Sequence, residues 1–285
     1  MEKKTPFLLF ALFAFCLLVI SCQGKESGTA QGRLEVVTTL FPLYDFARNV
    51  CGGRAEVSLL LPPGMEPHSY EPKPADVVRL SRAGVFVYTG PDMEPWAEDI
   101  LKGTRNPGLQ VIRADQGTHP GPKPPPRVSG QGARHREHDH ATDASDPHIW
   151  LDFDNAMRMV DNIRDGLIRK DPAGREVYER NAQAYNEKLR DLDNRYRENL
   201  KGCRVRTIIS GGHSAFSYLA RRYGFDYVSV YGCSPDAEPT PGRLARVTRT
   251  LRATGSRHLF YEELIDPRVA RTIASETGAS LVRLH

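Results

Sequence analysis

Residues 171–202 read DPAGREVYERNAQAYNEKLRDLDNRYRENLKG, and this stretch decides how the rest of the chain divides. Asp171 followed by Pro172 has the form of an N-cap with proline at the first helical position, and Gly202 supplies a stop. Between them Tyr178, Ala182, Tyr185, Leu189, Leu192, Tyr196 and Leu200 recur at steps of three and four, one apolar stripe on an amphipathic helix. The spacing predicts a helix over 173–201, about 43 Å long at ~1.5 Å per residue. Between two lobes such a helix is a strut that resists large hinge motion. Periodicity alone equally allows a long surface helix of one lobe.

Both flanks alternate strand and helix. Before the strut, short Val-, Leu- and Ile-rich runs at 34–39, 55–61, 85–89 and 109–113 are separated by helical stretches at 44–50, 75–82 and 95–102. After it, runs at 205–210, 227–231, 257–261 and 280–284 are separated by stretches at 215–223, 243–254 and 268–277. Apolar strands alternating with helices imply parallel sheets buried on both faces. The expected fold is α/β: two parallel-sheet lobes, 33–171 and 202–285, joined by a single long rigid helix over 172–201. Within the first lobe, 119–146 is rich in proline and glycine and carries the run RHREHDH at 134–140. Nothing there can form a core, so a mobile His-rich loop is expected.

The chain has 285 residues, 40% hydrophobic and 26% charged, with a formal net charge of +4. That excludes a disordered chain and a multi-span membrane protein, and the interspersed charges form no nucleic-acid stripe. At the N-terminus Lys3 and Lys4 precede an apolar run over 7–20 and then Ser21-Cys22. The run falls short of the roughly 20 residues of a membrane span and has the layout of a signal peptide over 1–21. Val19-Ile20-Ser21-Cys22 resembles a bacterial lipoprotein processing box. That resemblance implies cleavage before Cys22, lipidation of its thiol, and a tether over 22–32; an ordinary signal peptide with an incidental cysteine is the alternative. Either way the protein is extracytoplasmic. Cys51, Cys203 and Cys233 remain, an odd number with no Cys-x-x-Cys spacing, which leaves a Cys203–Cys233 pairing open.

Three of the nine histidines stand in loops whose backbone is constrained by proline or glycine. His68 follows Pro62-Pro63-Gly64-Met65-Glu66-Pro67 after the second strand, His148 follows Asp146-Pro147, and His213 follows Gly211-Gly212 after the first strand of the second lobe. Loops beyond the carboxyl ends of parallel strands are where α/β sheets place ligands, and neutral imidazole is a preferred zinc ligand. The rival reading treats Gly212-His213-Ser214-Ala215-Phe216 as half of a Gly-x-Ser-x-Gly nucleophile elbow. It lacks the last glycine, and only His258 and His285 follow as a base. No phosphate-binding or dinucleotide glycine fingerprint occurs.

From about Leu34 onward the chain resembles the zinc/manganese solute-binding lipoproteins of bacterial ABC importers. The marks are PPGMEPHSYEP at 62–72, DPHIWLD at 146–152, GHSAF at 212–216 with Tyr218-Leu219-Ala220, SPDAEPTP at 234–241 and ASETGA at 274–279. The resemblance implies a metal buried between two α/β lobes, held by His68, His148 and His213. It also implies a lipid-anchored monomer outside the cytoplasm, on the periplasmic side or cell surface. Such a protein delivers Zn2+ to an ABC permease and catalyses nothing. Manganese-selective members tend to carry Glu at the third position, where this chain has His213, and an all-nitrogen set suits zinc. His135, His138 and His140 either collect metal weakly or are simply solvated. Glu66, Asp146 and Asp152 are expected to orient the ligands, Asp152 alternatively capping a helix.

One departure stands out: the family continues roughly 25–35 residues past its last strand, with a helix and commonly an Asp ligand. The expectation is either a shortened member or a truncated reading frame, with the fourth position taken by His285 or by water, or the site impaired. A manganese- or iron-binding member, a zinc hydrolase with Glu66 as base, and an adhesin with a structural metal are the alternatives.

Overall fold

The computed structural model describes residues 33–120, 146–233 and 238–284. The expected signal peptide, the tether with Cys22, most of the His-rich loop and His285 lie outside them. The first lobe runs β1 (Leu34–Thr38), α1 (Phe41–Cys51), β2 (Ala55–Leu59), α2 (Pro74–Arg82), β3 (Val85–Tyr88), α3 (Pro95–Gly103) and β4 (Gln110–Arg113). After the loop come a 3-10 turn (Ile149–Leu151), α4 (Phe153–Lys170), a second 3-10 turn (Pro172–Gly174) and α5 (Arg175–Leu200). The second lobe runs β5 (Thr207–Ser210), α6 (Ser217–Arg222), β6 (Asp226–Ser229), α7 (Pro241–Thr254), β7 (His258–Glu262), α8 (Arg268–Thr277) and β8 (Ser280–Leu284).

Both sheets are wholly parallel, ordered β2-β1-β3-β4 and β6-β5-β7-β8. In each sheet the chain turns outward in opposite directions from a central pair, β1 with β3 and β5 with β7. That reversal opens a crevice at the carboxyl ends of the pair. The central strands are the apolar ones: Val36, Val37, Val85, Phe86, Val87, Ile209 and Leu259 are fully buried. Burial on both faces does not extend to the edges, where β2, β4 and β8 are partly exposed.

The strut needs two corrections. The α-helix begins at Arg175, and Asp171 makes no capping hydrogen bond to the turn that follows it. Its carboxylate is taken instead by Arg54, with Nη2 at 3.0 Å, and by the Tyr178 hydroxyl at 2.7 Å. The apolar stripe is also only half covered: Tyr178, Ala182 and Leu189 are buried against the first lobe, whereas Leu192 and Tyr196 are more than a third exposed. Ahead of the strut, α4 occupies a stretch to which the sequence pattern assigns no element. Asp152 caps it, accepting from the backbone N–H of Asp154 and Asn155. Ala156, Met159, Val160, Ile163 and Leu167 are its buried face. Gly166 lets it close on β4, since a Cβ there would overlap the Ile112 side chain.

The lobes share packing. Tyr218 and Tyr223, on and just after α6, belong to the first lobe's core cluster, and the second lobe's own cluster is smaller. Arg222, 9% exposed at its side chain, ends α6 between three carboxylates. Its Nε and Nη2 donate to Asp193 on α5, both at 2.8 Å, and Nη1 reaches Asp152 at 3.1 Å and Asp154 at 3.0 Å. Among the described residues no helix is long and apolar enough to cross a membrane.

Glu94 holds the crevice end of the first sheet. Fully buried, it accepts from the Thr39 hydroxyl, from the Thr89 and Gly90 backbone N–H at 3.0 and 3.1 Å, and from the Thr89 hydroxyl at 3.2 Å. Burial pushes its carboxyl up to about 7 against the pull of those donors. Glu94→Ala leaves four buried donor groups unmade at ~1–3 kcal/mol each, so an overall loss of at least about 4 kcal/mol is expected in urea unfolding. Glu94→Gln, which keeps the shape and one acceptor oxygen, is expected to lose less; equal stability of all three chains would refute this role.

Candidate metal centre

Each of the three histidines is fixed by its backbone before its ring. His68 sits on the segment leaving β2, where Gly64 adopts a φ of +82° that a side chain would resist. The Trp96 indole donates to the Pro67 carbonyl at 2.8 Å, and the His68 N–H donates to the Glu66 carboxylate at 3.1 Å. Glu66 thus orients the backbone of His68. His148, 3% exposed, precedes the 3-10 turn that leads into α4. One oxygen of Asp146 accepts from both its backbone N–H, at 3.0 Å, and its Nδ1, at 2.7 Å. The other oxygen accepts from the Ser217 hydroxyl, and Tyr218 donates to the Asp146 carbonyl at 3.2 Å. Asp146, which steadies this first-lobe ring, is therefore itself held from α6 of the second lobe.

His213 follows β5. Gly211 N–H donates to the Phe260 carbonyl at 2.7 Å, and a side chain at Gly211 would run into Ala270. Tyr227 donates to the His213 carbonyl at 3.0 Å. The His213 ring is turned toward His148, with Nε2 to Nε2 at 3.1 Å. His258, the other histidine of the elbow reading within the described residues, is exposed at the start of β7, away from the crevice.

The rings converge. Nε2 of His148 lies 3.3 Å from Nε2 of His68 and 3.1 Å from Nε2 of His213, and ligand atoms of all three fall within 4.8 Å of one another. Nitrogens about 2.0–2.1 Å from one tetrahedral zinc ion stand about 3.3 Å apart, so the spacing fits a shared cation. Asp146 accepts the hydrogen bond from Nδ1–H of His148, which leaves the Nε2 lone pair facing the other two rings. Burial lowers the His148 pKa from its ordinary value, with Asp146 pulling the other way, so the ring stays neutral and able to ligate. Asp152 is spent on the α4 cap and on Arg222 and takes no part. Cys51, Cys203 and Cys233 are free thiols.

One acidic group beside the site escapes the sequence reading. Glu262 ends β7, the neighbour of β5, and its Oε2 lies 3.8 Å from Nδ1 of His213. An acid on the last residue of the strand paired with the His213 strand was the available signal.

The comparisons with known proteins agree with the geometry. The family described as zinc-uptake complex component A, periplasmic (ZnuA), matches residues 36–285. The zinc-binding lipoprotein AdcA of Streptococcus pneumoniae (strain R6) is 35% identical over 280 residues, 97% of this chain and 54% of that relative. The chain thus spans about half the length of that relative. The high-affinity zinc uptake system protein ZnuA of Bacillus subtilis is 35% identical over 279 residues, 95% of this chain and 85% of its own length. In structure, the Zn(II)-bound ZnuA-like domain of Streptococcus pneumoniae AdcA is similar with a TM-score of 0.70 at 33% identity, covering 89% of this chain and 88% of that one. Two parallel α/β lobes, three converging imidazoles and a match over nearly the whole chain have one common reading: the protein belongs to the ZnuA family of zinc-uptake solute-binding components.

Proposed function

We propose that the chain captures Zn2+ outside the cytoplasm and presents it to the permease of an ABC importer, with His68, His148 and His213 as the metal ligands. The observation that carries this reading is the meeting of three Nε2 atoms drawn from both lobes. A set of neutral imidazoles favours zinc over manganese, which prefers oxygen ligands. In this reading binding is the function, and Glu66, the base that a zinc hydrolase would call on, is engaged with the His68 backbone. In this reading 1–21 directs export, Cys22 carries the lipid anchor, 22–32 is the tether, the lobes span 33–171 and 202–285 with 172–201 between them, and the protein acts as a monomer.

The test is a competitive titration of the chain with zinc and manganese, following bound metal and thermal midpoint together. One zinc per chain is expected, at least 100-fold tighter than manganese. At a hundredfold excess over Kd, bound zinc adds about 2.7 kcal/mol, which in a chain of this size raises the midpoint by roughly 5–10 °C. Equal affinity for both ions, or no binding by a folded sample, would overturn the reading.

A further inference from the structure

Behind each of two candidate ligands stands a carboxylate, and the two arrangements differ. Asp146 already accepts the Nδ1–H hydrogen bond of His148 at 2.7 Å. On the other lobe, Nδ1 of His213 and Oε2 of Glu262 are both buried, and neither has a hydrogen-bond partner among the described residues, yet they face each other at 3.8 Å. Two orphaned polar atoms, one able to donate and the other able only to accept, are costly to bury unless they are completed at some point in the working cycle.

The surroundings show that Glu262 is built into this place. Gly212, next to His213, leaves the space that the carboxylate occupies, since a Cβ there would overlap Oε2. The Ser210 hydroxyl lies 3.3 Å from Oε1 and also receives the Gly212 N–H at 3.0 Å. The carboxylate is thus held from the side of Oε1, with Oε2 left to the imidazole. It addresses Nδ1 of the ring, whereas Nε2 is the atom that meets His148, and so it is not a fourth ligand in this arrangement.

We propose that Glu262 is the positioning residue for His213: it accepts a hydrogen bond from Nδ1–H, keeps the Nε2 lone pair available to the metal, and so completes in the second lobe what Asp146 does in the first. The inference rests on the zinc-site reading above. A metal at Nε2 obliges the neutral ring to carry its proton on Nδ1, and the neighbour aimed at that atom is Glu262. A small turn of ring or carboxylate brings the pair from 3.8 Å to hydrogen-bond range.

The test uses the full chain with 15N-labelled histidine, in three forms: unmodified, Glu262→Ala and Glu262→Gln. Zinc affinity is measured by chelator competition, and the His213 tautomer by long-range 15N–1H correlation. In the zinc-loaded unmodified chain His213 is expected to show a protonated, slowly exchanging Nδ1 and a metal-shifted Nε2. Glu262→Ala is expected to lose the slow exchange and 10–100-fold in zinc affinity. Its thermal midpoint without zinc is expected to change little, because losing the long Ser210 contact at Oε1 is offset by removing the unpartnered, buried Oε2; a merely structural glutamate would lower that midpoint. Glu262→Gln keeps an acceptor oxygen and is expected to recover most of the affinity. Affinity of Glu262→Ala within twofold of the unmodified chain, with the Nδ1 proton still protected, would overturn the role of Glu262 while leaving the zinc site standing. Absence of a zinc-induced shift at His213 Nε2 in the unmodified chain would instead bring down the site and this proposal together.

Discussion

Replacing His148 with alanine is expected to weaken zinc binding by about 10²–10³-fold, more than the same change at His68 or His213. Protein zinc sites built from neutral and anionic side chains bind with about 10–16 kcal/mol, so one ligand of four carries roughly 3–4 kcal/mol, which is that factor in affinity. His148 stands above the other two for geometric reasons. Its Nε2 is the atom within 3.3 Å of both partners, so its loss leaves His68 and His213 without their common neighbour. It is also the ring that satisfies Asp146, whose carboxylate is buried and would keep only the Ser217 hydroxyl and the local backbone. His148→Ala is therefore expected to lower the thermal midpoint even without metal, whereas His213→Ala should leave it nearly unchanged. Chelator competition and melting of the three variants side by side measure both effects. A loss of less than tenfold for His148→Ala would remove it from the ligand set.

Much of the framework was legible because buried parallel strands announce themselves as short unbroken apolar runs. All eight expected strands are present within one or two residues of their positions. The histidine loops were legible for a related reason: proline and glycine beside His68, His148 and His213 constrain the chain where a ring must be aimed. What failed was whatever depends on a distant partner. Asp171 has every local mark of an N-cap, but Arg54 and Tyr178 claim its carboxylate, and nothing near it in sequence announces them. The lower half of the strut's stripe satisfies helical periodicity but is only partly covered: Tyr196 stacks on Tyr223 and packs on Phe153, yet it and Leu192 remain more than a third exposed. Glu262 reads as one acid among many until β7 is known to pair with β5, which sets it behind His213. The helix over Phe153–Lys170 is a different case: Phe153, Ala156, Val160, Ile163 and Leu167 carry the same spacing as the strut, in the shadow of the longer stripe that follows.

Arg222→Met is expected to cost the chain about 3–5 kcal/mol, a drop of roughly 10 °C in thermal midpoint, since methionine keeps an apolar stem but loses the guanidinium, which also lies 5.7 Å from the Phe153 ring centroid. The reason is the company the guanidinium keeps. It is the cation shared by Asp193, Asp152 and Asp154, and Asp193 also accepts from the Tyr223 hydroxyl at 2.8 Å. Without Arg222, Asp193 keeps Arg197 at 3.2 Å, but Asp152 at the α4 cap and Asp193 lose the charge that justifies their partial burial. Arg222→Lys is not a rescue, because one ammonium cannot reproduce the paired bonds of the planar fork. The pH dependence has a definite sign. Hydrogen bonding from Arg222 holds the Asp193 carboxyl well below its ordinary value, so the folded pKa lies below the unfolded one. That stabilisation is present above about pH 4 and is lost as pH falls toward the folded pKa. The stability gap between the unmodified chain and Arg222→Met should accordingly be widest near neutrality and narrow in acid; a gap that is flat from pH 7 to pH 3 would mean that the clamp is packing and not charge. The same clamp reaches the metal centre, since α6 carries Arg222 at one end and Ser217, which holds Asp146, at the other. A loosened α6 lets Asp146 drift from His148, so Arg222→Met should also weaken zinc binding several-fold, a smaller loss than removing a ligand and one that leaves the one-to-one stoichiometry intact.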